Sequence, residues 1–445
     1  MKFFSFLSVH RLKVIGLTIL GIGGLYVLQN ILWPIGKNPE TQLEVVWSWG
    51  SVLWLSALLP GTMGLLGLLA FSYPKDLDKV KKINKLVSLR IVSRGTNVEA
   101  LTKTILRCRR EMKENPLFPY IIEVVIDTKS KNMPRAGKDL RYIVVPKRYQ
   151  TSNFSLYKAR ALHFALEHSP LPNKAWIVHL DEETQLTTSG IKGICAMIRE
   201  EEKSKNLRIG QGAILYHRNW EEHPFLTLAD NVRTGDDLAR FHLQHKLGVT
   251  IFGLHGSYIV VRNDIEKAIG FDFGPNGSIT EDAFWALVAM ESGKRCRWVE
   301  GYLEEQSTQS VKDFIKQRRR WFMGLAKVSL YAPVKRTWRI PLGINTVLWA
   351  LAPITALYTL FHFFYGFTTS PILRFLANYS LVSFAVLYFI GLEINLNEHK
   401  ISRKLNVFIW HLVQLVLFPF FSFMESAGVL LAVFRPVAGF HVVKK

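Results

Sequence analysis

Cysteine is scarce in this sequence, and the short glycine motifs of the common nucleotide-binding folds do not occur. The three cysteines, Cys108, Cys195 and Cys296, stand far apart and form no CxxC pair. This spacing argues against a disulfide framework or a clustered zinc site and favours reduced thiols. Because neither GxGxxG nor a GxxxxGKS or GxxxxGKT motif is present, the sequence offers no dinucleotide fingerprint and no P-loop.

Acidic residues are few relative to basic ones. The 445 residues contain 56 Lys and Arg against 35 Asp and Glu, a formal net charge of +21, which implies anionic partners such as phosphates, nucleic acid or a lipid surface. A content of 49% apolar residues with 12 Trp is unusual for a soluble basic protein and indicates membrane segments. The basic residues cluster beside apolar runs and no nucleic-acid module is recognised, so nucleic acid is not an expected partner.

Long apolar runs are absent between residues 75 and 339 but frequent on either side. They cover 14–36, 45–74, parts of 340–367 and 375–392, and 405–434, and a helix of roughly 20 apolar residues can cross a bilayer. We therefore predict a multi-pass integral membrane protein in four parts. These are an N-terminal membrane region with two transmembrane helices (1–74), a soluble domain (75–308), amphipathic interfacial helices (309–339), and a C-terminal membrane region with two or more transmembrane helices (340–445).

Basic residues flank the outer ends of the first two spans, and only one lies between the spans. They are Lys2, Arg11 and Lys13 before the first span, Lys75, Lys79, Lys81, Lys82 and Lys85 after the second, and Lys37 between the two. Because Lys and Arg accumulate on the cytoplasmic side of membrane helices, this pattern predicts a cytoplasmic soluble domain. Juxtamembrane Lys and Arg would then face anionic lipid headgroups.

The last apolar run, 405–434, is too short for two full crossings. A single crossing would place Arg435, Lys444 and Lys445 outside, against the charge rule. Pro419 and Glu425 indicate a broken or re-entrant element, and we expect an internal C-terminus.

Short β-rich runs alternate with helical patterns in the soluble domain. Strands are predicted at 87–92, 120–126, 141–145 and 175–180, with helices near 97–114 and 156–168. This alternation is typical of an α/β sheet covered by helices on both faces. Ligands of such sheets bind beyond the carboxyl ends of the strands, where Asp127 and Asp181 stand.

Three consecutive carboxylates, Asp181, Glu182 and Glu183, follow the fourth of these strands. They repel one another unless a cation neutralises them, and their hard oxygen atoms suit Mg²⁺ or Mn²⁺. The alternative interpretation is that Asp181 caps the next helix while Glu182 and Glu183 are solvated. His179, inside the strand, is expected to be a packed or supporting residue rather than a ligand.

Two further motifs lie downstream. "GSITEDAFWALVAM" places Glu281 and Asp282 at the start of a helix with Thr280 as its N-cap. "VKDFIKQRRRWFMGL" places Gln317, three arginines and Trp321 on an amphipathic helix before the third span. Taken alone, the first predicts a capped helix and the second an interfacial helix.

In this order, and between two membrane regions, these motifs resemble those of the membrane-embedded family 2 glycosyltransferases, which include the cellulose, chitin and hyaluronan synthases. A closer resemblance is to the Egghead-type β-1,4-mannosyltransferases. It rests on "IVSRGTN", "IIEVVID", "IVVPKRYQT", "LYKARAL", "WIVHLDEETQLT", "HGSYIVV", "GSITEDAFWA" and "QRRRW", between about 86 and 330. The resemblance implies an α/β GT-A-type fold, a mixed sheet flanked by helices, inserted between N- and C-terminal transmembrane helices.

The resemblance also implies a role for each matching residue. Asp282 would be the catalytic base, supported by Glu281 and Thr280. Donor binding would fall to Arg94, Thr96, Asp127, Lys158, Asp181 and Arg320, and acceptor binding to Trp321, Gln317, Gly256 and Ser257. The metal, Mg²⁺ or Mn²⁺, would be held by Asp181 and Glu183, although many relatives have Asp where Glu183 stands.

The implied activity is the metal-dependent, inverting transfer of mannose from GDP-mannose to a lipid-linked or polysaccharide acceptor, forming a β-glycosidic bond at the cytoplasmic membrane face. The alternative is a UDP-sugar-dependent, processive polysaccharide synthase of the cellulose, chitin or hyaluronan type. A transporter or scaffold is a third hypothesis, but no internal repeat relates the two membrane regions. The nucleotide base of the donor, the acceptor, processivity and the oligomeric state do not follow from the residues.

Overall fold

A computed structural model of the chain describes residues 8–32, 40–73, 77–364 and 370–436. Its centre is a seven-stranded sheet with the order β3-β2-β1-β4-β6-β5-β7. The strands are β1 (Val87–Ser93), β2 (Tyr120–Ile126), β3 (Leu140–Val144), β4 (Trp176–Asp181), β5 (Ile209–Leu215), β6 (Ile259–Arg262) and β7 (Cys296–Glu304).

The described residues also form fifteen α-helices. Those of the N-terminal region are α1 (Val9–Leu32), α2 (Gln42–Trp49) and α3 (Leu58–Ala70). Those around the sheet are α4 (Val98–Glu114), α5 (Tyr157–His168), α6 (Thr188–Ser204), α7 (Pro224–Asp236), α8 (His242–Lys246), α9 (Asn263–Ile269) and α10 (Glu281–Glu291). The remainder are α11 (Val311–Tyr331), α12 (Arg336–Ala350), α13 (Ala352–Phe364), α14 (Pro371–Glu398) and α15 (Lys404–Phe434).

Every strand except β6 runs in the same direction. β1 pairs in parallel with β2 and β4, β2 with β3, and β5 with β7, whereas β6 is antiparallel to both β4 and β5. The carboxyl ends of six strands therefore meet at one edge of the sheet, together with the residues that precede β6. The predicted mixed α/β sheet is confirmed, and the four predicted strands and two predicted helices agree with the structure to within one or two residues.

The sheet is buried because its strands carry apolar residues on both faces. Leu89, Ile91 and Val178 pack with α4 and α6 on one face, while Ile177 and Val261 pack with residues of α5, α9 and α10 on the other. The three cysteines are buried free thiols.

Five helical segments are long and apolar enough to cross a membrane, judged by length and composition. They are α1, the run Gln42–Ala70, the run Arg336–His362, α14 and α15, and they coincide with the five predicted apolar runs. The basic start of α1 lies beside the end of α3, since His10 Nε2 is 2.9 Å from the carbonyl oxygen of Leu68 and Arg11 Nε donates to that of Leu69 at 2.8 Å. The start of α1 and the end of α3 therefore lie together, on the side from which the chain continues into the sheet.

The expected break in the last apolar run is wrong. α15 is continuous through Pro419, because a transmembrane helix tolerates proline when neighbouring groups satisfy the freed carbonyl. Its 31 residues extend for about 46 Å at 1.5 Å per residue, enough for one crossing. Glu425 pairs with Arg318 of α11 at 2.5 Å, so its charge does not require a helix break.

Some residues used in the charge argument lie outside the described residues, namely Lys2, Lys37, Lys75 and the tail from 437 to 445. The internal C-terminus therefore stays a prediction.

A buried ionic network lies beneath the carboxyl edge of the sheet. Arg90 of β1 donates to Glu266 at 2.7 Å and to Glu123 at 3.0 Å, and all three side chains are fully buried. His179 Nε2 lies 2.6 Å from the second oxygen of Glu266. This confirms His179 as a packed supporting residue. The network as a whole links β1, β2, β4 and α9.

We predict that Arg90→Met lowers the free energy of unfolding by about 3–5 kcal/mol, because two buried carboxylates would lose their main cation. Urea unfolding of the detergent-purified protein would measure the change. The control is Lys103→Met, which breaks an exposed ion pair with Glu99 and should cost less than about 1 kcal/mol. Equal losses in the two variants would contradict the assigned strength of the network.

Candidate active site

A cavity of about 1490 Å³ opens at the carboxyl edge of the sheet and continues between the apolar helices. It collects nearly all of the residues that the sequence motifs single out. They are Arg94, Asp127, Lys158, Asp181, Glu183, Gly256, Ser257, Thr280, Glu281, Asp282, Gln317, Arg320 and Trp321. Thr96 is exposed and is not among the residues that line the cavity.

One lysine and one arginine of α5 form ion pairs with the carboxylates that follow β2 and end β4. Asp127 forms an ion pair with Arg160. Lys158 donates to Asp181 at 2.5 Å and to the carbonyl oxygen of Gly256 at 2.7 Å. Burial opposes the charge of Lys158, but the neighbouring carboxylates, Asp181 first, hold its pKa above the usual value. This lysine therefore stays charged at the centre of the site.

The three consecutive carboxylates after β4 do not share one environment. All three line the cavity. Glu182 accepts a hydrogen bond from Ser93 at 2.5 Å and its carbonyl oxygen accepts one from Thr104, whereas Asp181 accepts one from Lys158. The alternative that Asp181 caps the next helix is wrong, because the N-cap of α6 is Thr187. Five residues, 182–186, separate Asp181 from that cap.

Glu281 and Asp282 open α10, as predicted, with Thr280 at the N-cap position. The expected capping hydrogen bond is wrong, since the Thr280 side chain caps no backbone N–H of this helix. Thr280 packs instead against α11, where a Cβ added to Gly324 would lie 2.6 Å from the threonine hydroxyl. The missing side chain at Gly324 lets α11 approach the start of α10 closely.

Burial changes the acidity of the two carboxyl groups at the start of α10. Burial first, and then the adjacent Glu281 carboxylate, raise the pKa of Asp282 to about 7. Burial also raises the pKa of Glu281, while the Lys158 ammonium opposes the rise. A carboxylate with a pKa near neutrality is suited to take up a proton from a hydroxyl group.

α11 places a cation and an aromatic ring on the opposite side of the cavity. Burial lowers the pKa of Arg320, while the carboxylates of Glu281 and then Asp181 favour its charged form. The adjacent Trp321 ring has two guanidinium groups near its centroid, those of Arg233 at 4.5 Å and Arg318 at 4.6 Å. Gln317 is buried one turn earlier, where the four-residue spacing puts it on the same side of the helix as Trp321, and it accepts a hydrogen bond from Arg318.

The turn before β6 supports the acidic edge. Gly253 has φ = +86°, a conformation that glycine adopts without strain. Ser257 is buried, donates to Thr184 at 2.8 Å and accepts from the backbone N–H of Asp181 at 3.3 Å. These contacts hold Asp181 in place, and acceptor binding by Gly256 and Ser257 stays a prediction.

Sequence comparison decides the family. A family model described as Glycosyl transferase family group 2 matches residues 176–394. The β-1,4-mannosyltransferase bre-3 of Caenorhabditis briggsae is 30% identical over 433 residues, which cover 92% of this chain and 91% of that protein. The chain belongs to glycosyltransferase family 2. The β-1,4-mannosyltransferase egh of Drosophila melanogaster is 34% identical over 310 residues, 68% of this chain and 66% of that protein.

A solved structure shows the same fold for this family 2 glycosyltransferase. It is the mannosyltransferase PcManGT from Pyrobaculum calidifontis in complex with GDP-Man and Mn²⁺, with a TM-score of 0.50 and 12% identity, covering 88% of this chain and all of that one. The predicted family resemblance, the GT-A-type fold and the glycosyltransferase class are thereby confirmed.

Two carboxylates of the glycosyltransferase could hold a divalent cation. Within the described chain no three His, Cys, Asp or Glu side chains are arranged to bind a metal together. Mg²⁺ needs only one or two protein carboxylates when waters and substrate phosphates complete its coordination. Asp181 and Glu183, both in the cavity wall, fit that requirement, and the metal assignment stays a prediction.

Several residues of the family 2 site lie inside the quoted motifs, but the sequence offers no reason to assign them a role. The cavity wall also contains His255, whose Nε2 lies 3.0 Å from buried Asp237 in the π-helical turn Asp237–Phe241 after α7. Arg160 stands two residues after Lys158 and could have been inferred from the predicted helix. The partners of Arg318 could not, because they come from distant parts of the chain.

We predict that Gly256→Ala lowers transferase activity by at least about tenfold with little change in melting temperature. The added Cβ would lie 3.0 Å from Lys158 Nζ, 3.3 Å from Asp282 Oδ2 and 3.5 Å from Asp181 Oδ2, in the space between these groups. Gly137→Ala is the control, because its Cβ would meet only Asp139 at 3.8 Å. Unchanged activity in the Gly256 variant would show that this space is not used by substrate.

Proposed function

We propose that this glycosyltransferase transfers mannose from GDP-mannose to a lipid-linked acceptor, with inversion at the anomeric carbon. Two findings support mannose. The relatives that match along most of the chain are named β-1,4-mannosyltransferases, and the archaeal protein of the same fold was solved with GDP-Man and Mn²⁺. GDP-mannose is an α-linked donor, so a single displacement gives a β-linked product.

The observation that carries the proposal is the continuity of the cavity. It runs from the carboxylates at the sheet edge, past Trp321, to side chains of the apolar helices. Most of these are apolar, among them Leu348, Ala356, Leu381, Phe384, Phe418 and Phe423. An apolar wall next to a sugar platform suits the hydrocarbon part of an amphiphile, and this supports the lipid-linked acceptor.

Asp282 serves as the general base in this proposal. Its carboxylate takes the proton of the acceptor hydroxyl while the oxygen attacks the anomeric carbon and the bond to the diphosphate breaks. Glu281 and Thr280 support it, because Glu281 adds to burial in raising the pKa of Asp282 to about 7 and Thr280 contacts α11 at Gly324. The product is the β-mannoside, with GDP as the leaving group.

The cations around the cavity stabilise the leaving diphosphate. Arg320 and Lys158 can donate charge-assisted hydrogen bonds to phosphate oxygens. Mg²⁺ or Mn²⁺ bound by Asp181 and Glu183 would neutralise further charge on the diphosphate. Asp127 and Arg94 lie at the ends of neighbouring strands, where we place the nucleoside. We assign no contact to Thr96, which lies outside the cavity wall.

The acceptor lies on the α11 side of the cavity. The Trp321 ring lines the cavity and offers an aromatic surface on which a sugar ring can stack. Gln317, Gly256 and Ser257 border the same space. The proposed acceptor headgroup therefore sits between Trp321 and Asp282.

We place this reaction at the cytoplasmic face of the membrane. Lys79, Lys81, Lys82 and Lys85 follow the second span, as expected for a cytoplasmic domain next to anionic lipids. In the proposed division, 1–74 and 340–445 are membrane regions, 75–308 is the catalytic domain and 309–339 lies at the interface.

A donor panel tests the proposal. Detergent-purified protein with Mg²⁺ or Mn²⁺ and short glycolipid acceptors should release nucleotide from GDP-mannose but not from UDP-sugars. Asp282→Asn and Asp181→Ala should each reduce turnover by at least about 10²-fold, and chelation should abolish it. Turnover of a UDP-sugar into a growing polymer would replace this proposal with the processive synthase.

The proposed base predicts a pH profile. Because Asp282 has a pKa of about 7 and works when deprotonated, kcat/KM should fall as pH drops below that value. Glu281→Gln removes a like charge and should lower the pKa of Asp282, so the variant should stay active to lower pH. An acid limb that does not move, or that moves upward, would contradict the assigned coupling between the two carboxyl groups.

A further inference from the structure

Buried charges join the catalytic domain to the apolar helices at Arg318 of α11. Its guanidinium donates to Asp230 of α7 at 2.7 Å and to Glu425 of α15 at 2.5 Å. It also donates to Gln317 at 2.6 Å. Arg318 is 1% exposed and Asp230 is fully buried. One arginine therefore links three helices from three parts of the chain.

The same network reaches the aromatic ring of the acceptor side. The Arg318 guanidinium lies 4.6 Å from the Trp321 ring centroid, and that of Arg233 lies 4.5 Å from it. Arg233 is also 3.8 Å from Asp230 and stacks on the ring of Tyr216. Asp230 thus accepts a hydrogen bond from one of the two cations near Trp321 and lies close to the other.

Glu425 is the only carboxylate among the described residues of α15. A charge on a membrane helix is costly unless it pairs or serves a function, and Glu425 lines the cavity as well as pairing with Arg318. The backbones are in close contact here, because a Cβ added to Gly428 would lie 2.5 Å from the Arg318 Cβ. A shift of α15 is therefore transmitted to α11.

We propose that Asp230 and Glu425 are positioning residues that set the Trp321 platform through Arg318, so that a membrane helix adjusts the acceptor site. This proposal rests on the proposed function for the acceptor side of Trp321. Arg318 forms one ion pair with Asp230 of the catalytic domain and another with Glu425 of α15. The orientation of the Trp321 ring depends on both pairs. Donor groups on the sheet edge, Asp127 and Asp181, are not part of this network.

The test separates acceptor from donor kinetics. Glu425→Gln keeps the size of the side chain but removes its charge, and the acceptor KM should rise by about tenfold. The donor KM should change by less than about twofold, since the sheet edge is unchanged. The matched control is Glu393→Gln on α14, which breaks the ion pair with Lys13 and should leave both KM values unchanged.

A double-variant cycle distinguishes positioning from general support. If Glu425 acts through the ring, Glu425→Gln should add little to the acceptor KM in a Trp321→Ala background. Stabilisation by GDP in a thermal unfolding assay would show that each variant keeps a folded donor site. Asp230→Asn weakens the other ion pair of Arg318 and should raise the acceptor KM likewise.

Proportional changes in donor and acceptor KM, or fully additive effects with Trp321→Ala, would overturn the positioning role. The donor panel decides the proposed function on the wild-type protein alone. The positioning role is decided by the ratio of the acceptor KM of the variant to that of the wild type, measured with whichever acceptor the wild type uses. Failure of one proposal is therefore distinguishable from failure of the other.

Discussion

Mutual repulsion among carboxylates at the sheet edge is the constraint on which the rest of the site depends. Asp181, Glu183, Glu281 and Asp282 all line one cavity, and such a group is unstable without nearby cations. Lys158 and Arg320 supply the positive charge from two helices on different sides. The position of α5 and α11 relative to the sheet is therefore as important to the site as the strand ends themselves.

Local sequence patterns predict the sheet well for a physical reason. Strands β1, β2 and β4 are six or seven residues long and mostly apolar, and their burial on both faces leaves little choice of conformation. The acids that follow β2 and end β4 are then at the same edge by geometry alone. The Asp282 and Trp321 positions required a family resemblance, because no periodicity brings α10 and α11 to that edge.

Long-range contacts explain what the sequence did not reveal. The α15 break was expected because Pro419 and Glu425 are unfavourable in an isolated membrane helix, and only the partner Arg318, 107 residues earlier in the chain, makes the charge acceptable. Thr280 has the sequence of a capping residue, yet contact with Gly324 uses its side chain for packing. In both cases a tertiary partner outweighs the local preference.

The close packing of α11 has a consequence for how the two substrates influence each other. The helix contacts the start of α10 at Gly324 and α15 opposite Gly428, so it is packed closely between two surfaces. Arg320, which we assign to the donor, and Trp321, which we assign to the acceptor, are neighbours on this helix. Any displacement that donor binding imposes on Arg320 also reaches Trp321, and thermodynamic linkage requires the acceptor to affect donor affinity by the same factor. The two substrates would then bind cooperatively or antagonistically through one helix, without touching.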